Sequence, residues 1–298
     1  MIAGYSVSYK QDILSPRELN CGLDKMKDYY PKRIVCLTEE TTEMLYILGE
    51  EARIAGISGF TVRPPQARQA HPKVSAFTSA KIDKILDLKP DLVLGFSDIQ
   101  ADIAGALIKQ GIAVHIFNQR SVDEVFNMIM MLASLVGAND KATVWLQEIE
   151  SKIERIKLNA AKYSKRPKVY FELWNDPLMS SIQWVSELIE IAGGDECFPD
   201  LAKESLAKNR IIADPAIVVD ANPDIIIGSW CGRKFKPEHV AAREGWGAIS
   251  AVKNKQLFEV KSANILQPGP AALTDGLDQL VVIIEAWQQQ YANDSGKE

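Results

Sequence analysis

A chain of 298 residues, 47% hydrophobic and 24% charged, is long enough for two globular lobes and has the composition of a folded protein. A formal net charge of -5, with Lys and Arg scattered rather than striped, argues against a nucleic-acid partner, and no apolar run approaches the ~20 residues of a membrane span. Residues 1–12 lack a basic segment leading into an apolar one, and Arg17 and Glu18 stand too close before Cys21 for a lipoprotein signal. As written, the chain is therefore expected to be cytoplasmic; a periplasmic location is the alternative if a leader has been removed.

In chain order, residues 1–30 read as an extension. P-K-R-I-V-C-L (31–37) reads as a buried strand, followed by a helix that Thr41 or Thr42 caps and Gly49 closes. Residues 53–56 open a second strand, and residues 60–72 form a loop broken by Pro64, Pro65 and Pro72. Residues 81–88 are a helix feeding a strand over 91–95; Ser97 and Gln100 have capping-box spacing for a helix to Gln110, and I-A-V-H-I-F (112–117) is a further strand. Ser121 and Glu124 form a second capping box. From Ala142 to Tyr163 the apolar spacing then marks one face of a helix of about 25 residues, or about 38 Å. A strand at 166–173, a helix at 181–192, an Asp214-Pro215 helix start, a late strand at 257–260 and a closing helix at 271–290 complete the chain.

Within this order one phrase occurs twice. D-L-K-P-D-L-V-L-G (87–95) returns as D-A-N-P-D-I-I-I-G (220–228), each time after a helical stretch and each time entering a short aliphatic run. Such runs read as parallel strands buried on both faces. The expected fold is α/β, with two Rossmann-like lobes of mainly parallel sheet joined by a long backbone helix: an N-terminal lobe over 31–120, linking helices over 121–165 and a C-terminal lobe over 166–298.

Ligands of parallel α/β sheets sit beyond the carboxyl ends of the strands. Those ends offer Thr38, Glu39, Phe60, Phe77, Phe96 and Asn118 in the first lobe. The second offers Trp174, Asn175, Trp230, Arg233, Asn264, Ile265 and Gln267. Rings and amides dominate, which suits a large, partly apolar ligand with polar edges. No catalytic motif is present, so no catalytic residue is assigned and the chain is not expected to be an enzyme. Glu39, Glu40 and Glu43 near a helix start read as dipole-favourable charges. His71, His115 and His239 have no ligand spacing, and neither a metal site nor a resident cofactor is expected. Cys21, Cys36, Cys197 and Cys231 have no paired spacing and are expected to be reduced.

Residues 33–45 (R-I-V-C-L-T-E-E-T-T-E-M-L), 64–67 (P-P-Q-A), 74–77 (V-S-A-F), 82–96 and 192–198 (A-G-G-D-E-C-F) carry a family likeness. From Lys32 onward the chain resembles the periplasmic cobalamin-binding proteins of ABC importers, part of the helical-backbone (class III) substrate-binding group that includes siderophore and haem binders. The resemblance implies a monomer that holds a small-molecule chelate, first of all a corrinoid, in the interlobe cleft. Phe77 and Phe96 fall where that family places ligand-facing aromatics, Phe60 in a loop that supplies another, and Asn264 and Ile265 in the late ligand-contacting loop. It also implies an ABC permease partner, docked through one carboxylate per lobe. Asp83 occupies the first position and Ala216 the second, so the pair is only partly present, with Asp214 nearby. Two alternatives remain: a siderophore or haem binder using Arg63, Arg68 and Arg233, and a cytoplasmic cofactor-handling protein or enzyme on the same fold, for which Glu39 or Glu172 would be the residues to test.

Overall fold

The computed structural model of the chain describes residues 29–295. The expected extension over 1–30, apart from Tyr29 and Tyr30, and Cys21 lie outside the described residues. Five strands form the first sheet: β1 (Ile34–Cys36), β2 (Ile54–Ser58), β3 (Lys73–Ser75), β4 (Leu92–Phe96) and β5 (Val114–Phe117), in the order β3-β2-β1-β4-β5. Every pairing is parallel. β6 (Lys168–Glu172), the β7–β8 hairpin (Trp174–Asn175 and Leu178–Met179), β9 (Asp195–Glu196), β10 (Ile225–Gly228) and β11 (Leu257–Glu259) follow. The second sheet runs β11-β10-β6-β9 and is again parallel throughout. The architecture is the expected one: two α/β lobes of parallel sheet.

The strands carrying the repeated phrase, β4 and β10, each sit inside their sheet with all residues buried. Both phrase glycines lack a side chain for a packing reason. A Cβ on Gly95 would lie 2.7 Å from Gln100 Oε1 and from Ile116; on Gly228 it would lie 1.9 Å from the Phe235 ring. The matched motif therefore marks matched crowding in the two lobes.

Helix α1 (Glu39–Ile47) follows β1, α2 (Ile82–Asp87) precedes β4 and α3 (Ala101–Lys109) follows it. α4 (Val122–Val136) opens on the full Ser121/Glu124 capping box and ends at Gly137 in the left-handed region. α5 (Asn139–Ala160) is the long strut, 22 residues or about 33 Å, with Ala142, Leu146, Ile149, Ile153 and Ala160 buried along one face. α6 (Gln183–Ile191), α7 (Ala216–Ala221) and α8 (Leu277–Ser295) complete the second lobe, a π-helical turn (Ala272–Gly276) leading into α8.

One apolar cluster runs without interruption from Ile34 and Leu94 through Ile129, Ile149 and Ile153 to Val169, Phe171 and Ile284. The lobes thus share a core through α4 and α5, and the Glu187 carboxylate on α6 accepts the Val122 N–H at the start of α4 at 2.6 Å. A strut packed on both sides resists bending, because burial of that face is lost if either lobe swings away.

Two local expectations are corrected. Thr41 and Thr42 do not cap α1: Thr38 is the N-cap residue, and both later hydroxyls donate to its carbonyl. The Ser97/Gln100 capping box does not form; Ser97 sits at φ 57 and caps a short 3-10 turn, while the Gln100 amide accepts the Phe96 N–H and donates to the Leu37 and Phe77 carbonyls. A buried amide that ties three strand ends together outcompetes a local cap.

Candidate ligand-binding site

The carboxyl ends of the two sheets meet at a seam. On the first lobe the turn after β1 presents Thr38 and Glu39, the loop after β2 presents Phe60 and Arg63, and the ends of β3, β4 and β5 present Phe77, Phe96 and Asn118. Opposite stand Trp174 and Asn175 after β6, Trp230 and Arg233 after β10, and Asn264, Ile265 and Gln267 after β11. Direct contacts cross the seam. Gln267 Nε2 donates to Glu39 Oε1 at 3.4 Å, Gln119 Nε2 to the Pro268 carbonyl at 2.8 Å, and Arg120 to the Ser205 carbonyl at 3.1 Å. Arg63 reaches furthest, binding Glu43 at 2.9 Å on its own lobe and Asp275 at 2.6 Å on the other, with Asn264 Oδ1 at 3.5 Å. The seam is bridged at several points; a cavity of about 340 Å³ borders it at Asp275, and cavities of about 810 and 230 Å³ lie elsewhere on the surface.

The candidate side chains fall into three groups. Phe60 is 55% exposed, and Phe77 and Trp174 are half-buried. Arg233 is exposed and stands 5.0 Å over the Trp174 ring, whose indole N–H donates to the Asp176 carbonyl. Asn118 is exposed, while Asn264 and Gln267 are half-buried. These present surface at the seam. Phe96 is buried under the Arg120 guanidinium, 5.4 Å from its ring centre; Thr38 is buried; the half-buried Asn175 has an Oδ1 with no partner.

Trp230 and Ile265 face inward. Ile265 is fully buried in the main cluster. Trp230 packs edge-on against Phe235, and its indole N–H donates to Glu172 at 3.0 Å. Glu172, fully buried, also holds Arg243 through two bonds of 2.6 and 2.9 Å and accepts from the Tyr170 hydroxyl. That closed network consumes every polar atom of the Trp230 side chain, which sequence alone could not reveal because Arg243 stands 71 positions from Glu172.

Glu39, Glu40 and Glu43 lie at the start of α1, and all three are buried. Burial pushes the Glu39 and Glu40 carboxyls up to about 7, with neighbouring carboxylates adding to the shift. Glu43 is raised by burial too, opposed by Arg63. Both Glu40 oxygens lack a hydrogen-bond partner, and Gly269 of the opposite loop packs so closely that a Cβ there would lie 2.4 Å from Glu40. Arg68, the other nearby cation, donates to the Gly59 and Thr61 carbonyls.

The histidines lie apart. His71 bonds the Tyr46 hydroxyl at 2.9 Å, His115 stacks edge-on to Phe117, and His239 sits on a one-turn helix. Among the described residues no group of three or more His, Cys, Asp or Glu could hold a metal ion. Cys36, Cys197 and Cys231 are free thiols, and Cys231 is exposed after β10, close enough to Glu39 to feel its charge. No helix among the described residues is long and apolar enough to cross a membrane.

Comparison with known proteins places this geometry. The family model described as periplasmic binding protein matches residues 34–263. The chain belongs to the periplasmic binding protein family. It is 29% identical over 265 residues to an uncharacterized ABC transporter substrate-binding lipoprotein of Bacillus subtilis, covering 84% of this chain and 79% of that protein. It is 24% identical over 273 residues to the vitamin B12-binding protein of Vibrio cholerae, covering 89% and 93%. Among solved structures, a possible iron-binding periplasmic protein of Staphylococcus epidermidis superposes with a TM-score of 0.73 at 22% identity, over 86% of this chain and 99% of that one, a likeness of fold. Family and relatives are binding proteins, and the expectation of a cytoplasmic location finds no support among them.

Proposed function

We propose that this periplasmic binding protein captures a large metal chelate between its lobes, with a corrinoid such as cobalamin the favoured ligand, for delivery to an ABC permease. The observation that carries the choice is the electrostatic character of the seam. Its floor is lined by Glu39, Glu40 and Glu43, and two of the three arginines that would greet an anionic chelate are already committed. Arg63 is neutralised by Glu43 and Asp275, and Arg68 is spent on carbonyls. A polyanionic catecholate or a haem with free propionates finds neither of those cations free there and faces carboxyl groups instead. A bulky ligand edged with neutral amides meets acceptors and donors instead: the partnerless Asn175 Oδ1 and Gln119 Oε1, the Asn118 amide and the carboxyl groups themselves. Phe60, Phe77 and Trp174 supply apolar area at ~25 cal/mol per Å² buried.

Ligand entry on this scheme parts the long Glu39–Gln267 contact and the Arg120–Ser205 bond while the strut holds. Docking falls to Asp83, exposed in the first turn of α2. Its counterpart Ala216 opens α7, where Asp214 is engaged in capping: its carboxylate accepts the Ala216 N–H at 2.9 Å. Exposed Arg233 over Trp174 is the feature that favours the second reading, an anionic chelate.

Equilibrium dialysis against cyanocobalamin, haemin and a ferric catecholate in parallel tests the choice. Retention of cobalamin alone is expected; retention of the catecholate or haemin with no cobalamin overturns it in favour of the second reading.

A further inference from the structure

On the strut side of the molecule a groove of about 810 Å³ opens between α4, α5 and α6, apart from every residue of the seam. Three helices contribute to it at one-turn spacing. α5 places Glu150, Ile153, Glu154 and Lys157 along its wall, while α6 contributes Glu187, Glu190 and Ile191. α4 adds Val122, Asp123 and Phe126. The apolar side chains Phe126, Ile153 and Ile191 are buried or half-buried at the base, and the carboxylates Asp123, Glu150 and Glu190 are exposed at the rim.

The charge in the groove is one-sided. Five carboxylates line it against two cations. Lys157 is paired with Glu154 at 2.9 Å, and Arg166 is engaged by Asp195 at 2.6 Å and by the Glu190 and Gly194 carbonyls. Among the described residues no hydrogen bond or ion pair engages the Asp123, Glu150 and Glu190 carboxylates. We infer that this groove is a docking surface for a basic amphipathic helix of a protein partner, with apolar anchors one turn apart on the base and Lys or Arg on the three free rim carboxylates. Helix-in-groove recognition asks for this combination of an apolar base and charged rims. Two other occupants are disfavoured by charge: residues 1–28 carry as many acidic as basic residues, and a second copy of a chain with net charge -5 brings like charge. Because α4 continues from the first lobe, α6 belongs to the second and Glu187 holds Val122 across them, an occupant contacts both lobes at once.

The test is fluorescence anisotropy of a labelled Leu/Lys peptide of about 14 residues, about 21 Å as a helix, titrated with the full chain. A same-composition peptide of scrambled order runs beside it. Saturable binding of the patterned peptide is expected, weakened at least about tenfold (about 1.4 kcal/mol) in the variant Asp123→Asn/Glu150→Gln/Glu190→Gln. The control Glu148→Gln/Glu238→Gln/Glu244→Gln, which removes as much charge from exposed positions elsewhere, is expected to bind as the unaltered chain does. Thermal melts establish that both variants fold. Equal weakening in both variants, equal binding of the scrambled peptide, or no binding at all overturns the inference. None of these outcomes depends on what the seam binds.

Discussion

Replacing Glu40 by Gln reverses the sign of a stability difference between mildly acidic and mildly alkaline pH. Glu40 is 1% exposed, and its carboxyl rises from 4.5 to about 7 because burial penalises the charged form. The Glu43 charge adds to the rise. A shift of that size corresponds to about 3 kcal/mol at ~1.4 kcal/mol per pH unit. In the unfolded chain the carboxyl ionises near 4.5, whereas in the folded chain it stays neutral to about 7. The associated stability is therefore complete below about pH 4.5 and is lost as the pH climbs to about 7. Gln keeps the shape and never ionises. At about pH 8 the variant escapes the whole penalty, less about 1–2 kcal/mol for an amide buried without partners, a net gain of about 1–2 kcal/mol. At about pH 5 only a minor part of that penalty has developed, so the amide cost outweighs it and the variant is the less stable protein. With about 2–4 °C per kcal/mol in a protein of this size class, the melting temperature rises by about 2–8 °C at the alkaline end. Glu39, also raised to about 7 by burial and by its neighbours, titrates in the same window and remains in the variant, so the pH slope diminishes without vanishing. Circular-dichroism melts at several pH values from about 5 to 8 give the answer. Parallel curves for the two proteins, with no crossing, refute the reasoning.

Other substitutions follow from the same geometry. Glu172→Ala strands the Arg243 guanidinium and the Trp230 indole N–H, costing about 3–5 kcal/mol in urea unfolding; an unchanged midpoint contradicts this. Gly228→Ala drives a methyl to 1.9 Å from the Phe235 ring and is expected to destabilise by about 3 kcal/mol or more, read as a fall in melting temperature. A soluble variant with an unaltered melt is the contrary result. Phe60→Ala, at a position 55% exposed, leaves the melt in place and weakens chelate binding by about 1–2 kcal/mol, roughly tenfold in Kd; unchanged affinity removes Phe60 from the site.

The architecture was legible because periodicity survives in its strongest form here: two buried aliphatic strands behind one helix-turn phrase, and an apolar stripe along α5 that needs no partner to be recognised. The seam was legible only as a set of strand ends. Which way each side chain turns depends on residues far along the chain. Trp230 reads as a ligand platform until Glu172, itself held by Arg243, claims its N–H, and Ile265 as a contact until it is found in the core. The burial of the acidic trio was illegible for a related reason. At a helix start, carboxylates read as dipole partners, and only the approach of Gly269 from the opposite loop shows how deeply Glu40 is buried.

Visible absorption of cobalamin titrated with the unaltered chain and with a Phe60→Ala/Trp174→Ala variant tests most directly whether the seam holds a chelate between two ring-bearing faces. A saturable spectral change with the unaltered chain, reduced at least about tenfold in apparent affinity by the double variant, is the predicted outcome. A spectrum indifferent to the protein, or one that responds identically to both proteins, contradicts it.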